Sequence, residues 1–176
     1  DIYLYDLASG QTRNITEGMG GYDTHPRFSP DGKRISWISM ERDGYEADLK
    51  RLFVQDLKTG QKTFLTDGFE YDVDELQWAA NSQSLFFLST KHAEAQLWEI
   101  ALKGRKIRQI TTGMHDYTSL DVQGGKILAG RQSYIEPTDL YLVDVKTGAA
   151  KQLTAENKST LDGLAPISVE KRWVKT

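Results

Sequence analysis

"LYDLASGQTRNIT" (residues 4–16) decides the fold, because the chain returns to it. "VQDLKTGQKTFLT" (54–66) and "LVDVKTGAAKQLT" (142–154) carry the same Asp, the same Gly four residues later and the same Thr ten residues after the Asp. "EIALKGRKIRQIT" (99–111) is a worn copy that keeps the apolar positions but has Ala101 in place of the Asp. The four marker positions, Asp6, Asp56, Ala101 and Asp144, stand 50, 45 and 43 residues apart. Self-similarity at such a period means one supersecondary unit used several times, and it changes what every smaller motif means.

Within the units, "DIYLYDL", "RISWIS", "RLFVQDL", "SLFFLS", "QLWEI", "KILAG" and "DLYLVDV" are short, rich in β-branched and aromatic residues and often alternating, so they predict strands. No stretch has the periodicity of an amphipathic helix. Ser9-Gly10, Thr59-Gly60 and Thr147-Gly148 put a glycine where a hairpin loop needs positive φ. "FSPDGKRISWIS" (28–39) holds Pro30-Asp31-Gly32 between two apolar runs, which alone resembles half of a phosphate or calcium loop. At the matching place the second unit has Asn81-Ser82 and the third has Gly124-Gly125-Lys126. A metal or phosphate loop would not survive such exchanges, whereas a hairpin turn tolerates them, so this is a turn.

Four short strands per unit at this period predict an all-β fold, a partial β-propeller of four-stranded antiparallel blades. Half a blade lies at 1–16 and further units at 17–66, 67–111 and 112–154, about three and a half blades in all. That is too few to close a ring, so exposed strand edges are expected.

The 176 residues are 39% hydrophobic and 27% charged, ordinary globular values that suffice for one sizeable core. A net charge of −3 and a pI near 5.6 give no electrostatic reason to expect nucleic acid or an anionic membrane as partner. The chain has no cysteine, which excludes disulfides, thiolate zinc sites and cysteine nucleophiles. No run is long enough to span a bilayer. The start at Asp1 within a predicted strand, without a leader, suggests an excised piece of a longer protein.

"DIYLYDLASGQTRNIT" with "HPRFSPDGKRISWIS" resembles the blades of the prolyl oligopeptidase family of serine peptidases and of TolB-type, WD40-like propellers. "SMERDGYEADLKRLFVQDL" (39–57) is similar to the long blade insertion of bacterial dipeptidyl-peptidase and acylaminoacyl-peptidase members. "QLTAENKSTLDGLAPISVEKRWVKT" (152–176) resembles the exit from the last blade in that branch, where a strand leads into an α/β-hydrolase domain. The resemblance implies propeller blades over 1–154, an exit segment at 155–176 toward a missing hydrolase domain, and a secreted or periplasmic exopeptidase as the parent. It also implies that the catalytic triad lies in that missing domain. Nothing in the chain matches a Gly-x-Ser-x-Gly elbow, so no catalytic residue, metal ligand or cofactor is assigned. His25, His92 and His115 fall in different inter-strand segments and suggest no Ser-His-Asp constellation.

Strand alternation places the tight turns on one face of a blade and the other connections opposite, at 17–26, 40–51, 67–75, 90–96, 112–119 and 131–139. Recognition is expected on this second face. Its longest member, "MERDGYEADLKR" (40–51), has seven charged residues. An exopeptidase that removes dipeptides must bind a free α-ammonium, for which a carboxylate is the natural receptor. Glu46 and Asp48 are the candidates, with Tyr45 as a wall or hydrogen-bond donor and Glu41 as a further acid of the loop. The plainer alternative is a solvated loop whose Arg42, Lys50 and Arg51 balance its acids. Tyr22-Asp23, Tyr71-Asp72 and Asp116-Tyr117 recur after each Thr and fit blade packing, Trp37, Trp78 and Trp98 fit core, and "DVDE" (72–75) lacks the glycine of a calcium loop.

Two other functions compete with a peptidase propeller that gates and orients peptide substrates for its own hydrolase domain. One is a TolB-like interaction module without enzymatic activity. The other is a carbohydrate-active channel, for which the inner segments "PRFS", "LQWA" and "LDVQ" supply few carboxylates. Two copies pairing edge to edge would build about seven blades.

Overall fold

The recurring Asp works as a turn cap. In the computed structural model, which describes residues 1–165 and 167–175, the Asp6 carboxylate accepts the N–H groups of Ala8 and Ser9 at 3.1 and 2.7 Å and the Ser9 hydroxyl at 2.8 Å. Asp56 takes the same three bonds from Lys58 and Thr59, and Asp144 takes them from Lys146 and Thr147. These bonds hold the Asp6 and Asp56 carboxyls below their ordinary range, and Lys126 leads the same effect at Asp144. The recurring Thr closes the other end of the hairpin. The hydroxyls of Thr16, Thr66, Thr111 and Thr154 accept the N–H groups of Ile2, Leu52, Leu97 and Leu140 at 2.9, 3.0, 3.0 and 2.9 Å.

The hairpins build four antiparallel sheets among the described residues. The first has two strands, β1 (Tyr3–Tyr5) and β2 (Thr12–Asn14). The second runs β3 (Asp23–Phe28), β4 (Arg34–Ser39), β5 (Arg51–Asp56), β6 (Lys62–Phe64), and the third β7 (Asp74–Trp78), β8 (Ser84–Lys91), β9 (Glu94–Ala101), β10 (Ile107–Gln109). In the last, β11 (Asp116–Tyr117) and β12 (Asp121–Gln123) both pair with β13 (Lys126–Gln132), as one innermost strand broken in two, and β14 (Asp139–Asp144) and β15 (Ala150–Gln152) follow. The three larger sheets are meanders, the layout of propeller blades, and the first is a single hairpin.

Alternation gives each sheet two apolar faces, and the sheets stack through them. Ile38, Leu52 and Val54 of the second sheet meet Leu85, Phe87, Trp98 and Ile100 of the third. The other face of the third, with Phe86, Leu88 and Leu97, meets Ile127, Ala129 and Val143 of the last. Ile2 and Ile15 of the first sheet pack on Ile35 and Trp37 of the second. Each stack thus repeats the same register positions. At the two ends of the arc the pattern is open: Tyr3 and Tyr5 are exposed at one, Leu128, Leu140 and Leu153 at the other.

The short turns lie together on one face of the arc. Opposite them run 15–22, 40–50, 65–73, 110–115 and 133–138, together with the exit from β15. The connection expected as a longer loop at 90–96 is instead a two-residue turn, because β8 and β9 extend to Lys91 and Glu94 and leave only His92 and Ala93, at φ 55 and 63°. The aromatic-acid pairs also align differently from their spacing. Register places Asp23 level with Val73 and Tyr117, since Thr24 faces Ile38 as Asp74 faces Leu88. Asp72 and Asp116 share one task, accepting the N–H groups of Lys50 and Ala95 at 2.8 Å. Among the described residues no helix is long and apolar enough to cross a membrane.

Candidate functional site

The long connections carry the polar groups that no sheet absorbs. In the 40–50 loop the sequence-predicted residues divide by exposure. Asp48 is buried and held by Arg42, whose Nε lies 3.0 Å and whose main-chain N–H lies 2.8 Å from its carboxylate, with Nη2 also bonded. Arg42 holds the Asp48 carboxyl below its ordinary range and is itself raised by it. The same guanidinium lies 3.8 Å from the centre of the Tyr45 ring. Glu41 reaches Arg51 at 3.5 Å. Asp48 and Tyr45 therefore shape the loop, and Glu46 is exposed and makes no ion pair among the described residues. Gly21 seats the loop against its neighbour, since a Cβ there would stand 2.3 Å from the Met40 carbonyl oxygen.

A second feature was not legible in the sequence. The residues after β15 cross the long-connection face toward the β8–β9 turn, where Lys171 Nζ lies 2.5 Å from the Glu94 carboxylate and Trp173 stands edge-on to His92. Beneath them is a cavity of about 310 Å³, walled by Ala93, Met114, Tyr134, Val169 and Trp173. His92 and His115, far apart in sequence, both line it. The charged Glu94, Asp116, Glu170, Lys171 and Arg172 line it as well.

Ser133, His115 and Asp116 also meet at this cavity without forming a relay. The Ser133 hydroxyl accepts the N–H groups of Ile135 and Glu136 in a local turn, and Asp116 accepts that of Ala95. His115 Nε2 is buried without a partner among the described residues, and burial, aided by Arg131, lowers the pKa of its ring. No group of three or more potential metal ligands occurs among the described residues. Among the described residues at the cavity, no nucleophile is hydrogen-bonded to a base.

A hairpin and three meanders stacked in this way correspond to a known family, and residues 1–169 match the one described as the TolB beta propeller domain, PD40. The chain belongs to the TolB beta-propeller family. Along all its 176 residues this propeller is 60% identical to Dipeptidyl-peptidase 5 of Porphyromonas gingivalis and 55% identical to that of Porphyromonas endodontalis. It spans 26% of the length of each, so it corresponds to about a quarter of those relatives. Among solved structures it superposes on the acylaminoacyl peptidase of Pyrococcus horikoshii with TM-score 0.70 at 19% identity, over 93% of this chain and 24% of the other. The propeller domain of the Trilobed protease from Pyrococcus furiosus gives TM-score 0.67 at 21% identity, over 88% and 45%. At those identities the likeness is one of fold.

Proposed function

We propose that this chain is the non-catalytic propeller portion of a serine exopeptidase of the dipeptidyl-peptidase type, gating and orienting peptide substrates for a hydrolase domain elsewhere in the protein. The observation that carries this is the identity of 60% to Dipeptidyl-peptidase 5, which runs the whole length of the chain. The course of the tail supports it: after β15 it crosses the long-connection face, where Lys171 and Trp173 reach Glu94 and His92 beside the cavity.

Within that reading Glu46 is the carboxylate that receives the substrate's free α-ammonium, because Asp48 is already bound by Arg42. Tyr45, stacked on the same arginine, forms a wall beside it, and Glu41 tethers the loop to Arg51. The test is turnover of the whole protein on dipeptidyl chromogenic substrates with free and with acylated amino termini. Glu46→Gln is expected to raise KM several-fold for the free substrate with kcat unchanged, and to leave an acylated one unaffected. No turnover by the whole protein would sink the peptidase reading in favour of an interaction module, and an unchanged KM in Glu46→Gln would sink the role of Glu46 alone.

A further inference from the structure

The repeated interfaces can be compared position by position, and one of them differs in chemistry. On the face of the second sheet turned toward β1 and β2, Asp23, Trp37 and Gln55 occupy the places held by Val73, Phe87 and Ile100 in the third sheet and by Tyr117, Ala129 and Val143 in the last. Asp23, Trp37 and Gln55 are 8%, 0% and 7% exposed. Each carries buried polar atoms without a partner among the described residues: both carboxylate oxygens of Asp23, the indole N–H of Trp37 and Oε1 of Gln55. The chain's other buried indoles are satisfied, Trp78 donating to the Arg27 carbonyl at 3.1 Å and Trp98 to that of Ser89 at 3.2 Å. An unpaired carboxylate at a position where two sister blades place Val and Tyr has no packing rationale and a large desolvation penalty.

The backbone shows where partners would come from. Ile2 sits where Leu52, Leu97 and Leu140 sit, by the shared bond to the recurring Thr, so β1 matches β5, β9 and β14. Those strands pair on their inner side with β4, β8 and β13, and among the described residues none pairs with the corresponding edge of β1. Tyr3 and Tyr5 lie exposed beside that edge.

We infer that polypeptide upstream of Asp1 pairs with the free edge of β1 as the inner strands of the first sheet, and that it carries cationic or amide donors onto Asp23 and onto Oε1 of Gln55 and a carbonyl onto the Trp37 indole. The interface is thereby specified by polar groups, unlike the two apolar ones that follow, and it accepts one partner in one register. A second copy of the chain is a poor substitute, because its open end would bring Leu128, Leu140 and Leu153, which offer no donor.

The test is the sign of a stability change in the whole protein. Asp23→Val and Gln55→Ile install residues that sister blades carry at the same positions. If upstream groups pair with Asp23 and Gln55, both variants strand a buried partner and lower the melting temperature of the propeller. A rise or no change in either overturns the proposal for that residue. If Asp23→Val does not accumulate as folded protein, Asp23→Asn is measured instead, with the same fall expected and the same outcomes overturning it. A melting temperature raised by added dipeptide in the parent but not in the Asp23 variants would place a free ammonium at Asp23 and likewise overturn the proposal.

Discussion

Trp173 stands edge-on to His92, ring centroids 5.0 Å apart at 89°, which fastens the residues after the last sheet to a turn of the sheet before it. Lys171 adds an ion pair to Glu94 from the same segment. Trp173 is largely exposed, and a partly exposed ion pair contributes only about 0.2–1 kcal/mol, so the fastening is weak and separable. Trp173→Ala combined with Glu94→Gln is expected to release the tail without unfolding the sheets. Limited proteolysis should then cut within 167–175 several-fold faster while the far-ultraviolet spectrum stays that of the parent. An unchanged cutting rate would show that the tail is held by something else.

How much of this was legible from residues alone follows from where each signal lies. The strands and turns were legible because a local motif dictates them: Asp6, Asp56 and Asp144 recur since each gathers three donors in its own turn, and Thr16, Thr66, Thr111 and Thr154 recur since each closes its own hairpin. The β8–β9 turn was misjudged because His92-Ala93 carries no turn residue, although both adopt positive φ. The fate of Asp48 was hidden for a different reason. Seven charges in a loop say nothing about which acid Arg42 will bind, and only the folded loop turns Asp48 inward. The cavity joins four stretches distant in sequence, His92–Glu94, Met114–Asp116, Ser133-Tyr134 and Val169–Trp173, whose meeting no spacing reveals.

The recurring threonine supplies a graded prediction. Thr66 is buried and its hydroxyl is the acceptor for the Leu52 N–H, whereas the N–H of Leu140 bonded to Thr154 lies at the exposed end of the arc. Thr66→Val keeps the shape and strands a buried donor, which costs about 1–3 kcal/mol. Thr154→Val leaves a donor that water reaches, and its expected loss is below about 1 kcal/mol. Chemical denaturation of the two variants checks the order; equal losses would remove the cap from the account of the fold.

Gly148 tests how closely the sheets approach. Its φ is 72°, and a Cβ would stand 2.2 Å from the carbonyl oxygen of Ile110 on the neighbouring sheet, whereas at Gly124, with φ 57°, a Cβ meets nothing within 4 Å. Gly124→Ala should therefore carry only the left-handed backbone penalty, about 1–2 kcal/mol. Gly148→Ala adds a clash against backbone and should exceed it clearly, by melting temperature or by loss of soluble protein. Equal effects would mean that the two sheets yield there at no cost.

His115 gives the fold a dependence on pH. Its ring is held neutral because burial, reinforced by Arg131, lowers its pKa from the ordinary value near 6.5, against the opposing pull of Asp116, Glu94 and Glu136. The unfolded chain protonates this histidine first as pH falls, so between the ordinary value and the lowered one the unfolded state binds more protons and stability drops with decreasing pH. Above that window His115 is neutral in both states and contributes no slope. The melting temperature should therefore fall as pH is taken from about 7 to about 5, before the carboxylates titrate. His115→Asn, which keeps a polar side chain of similar reach but no titration in this range, should flatten that part of the profile. A variant that keeps the full slope would assign it to another group.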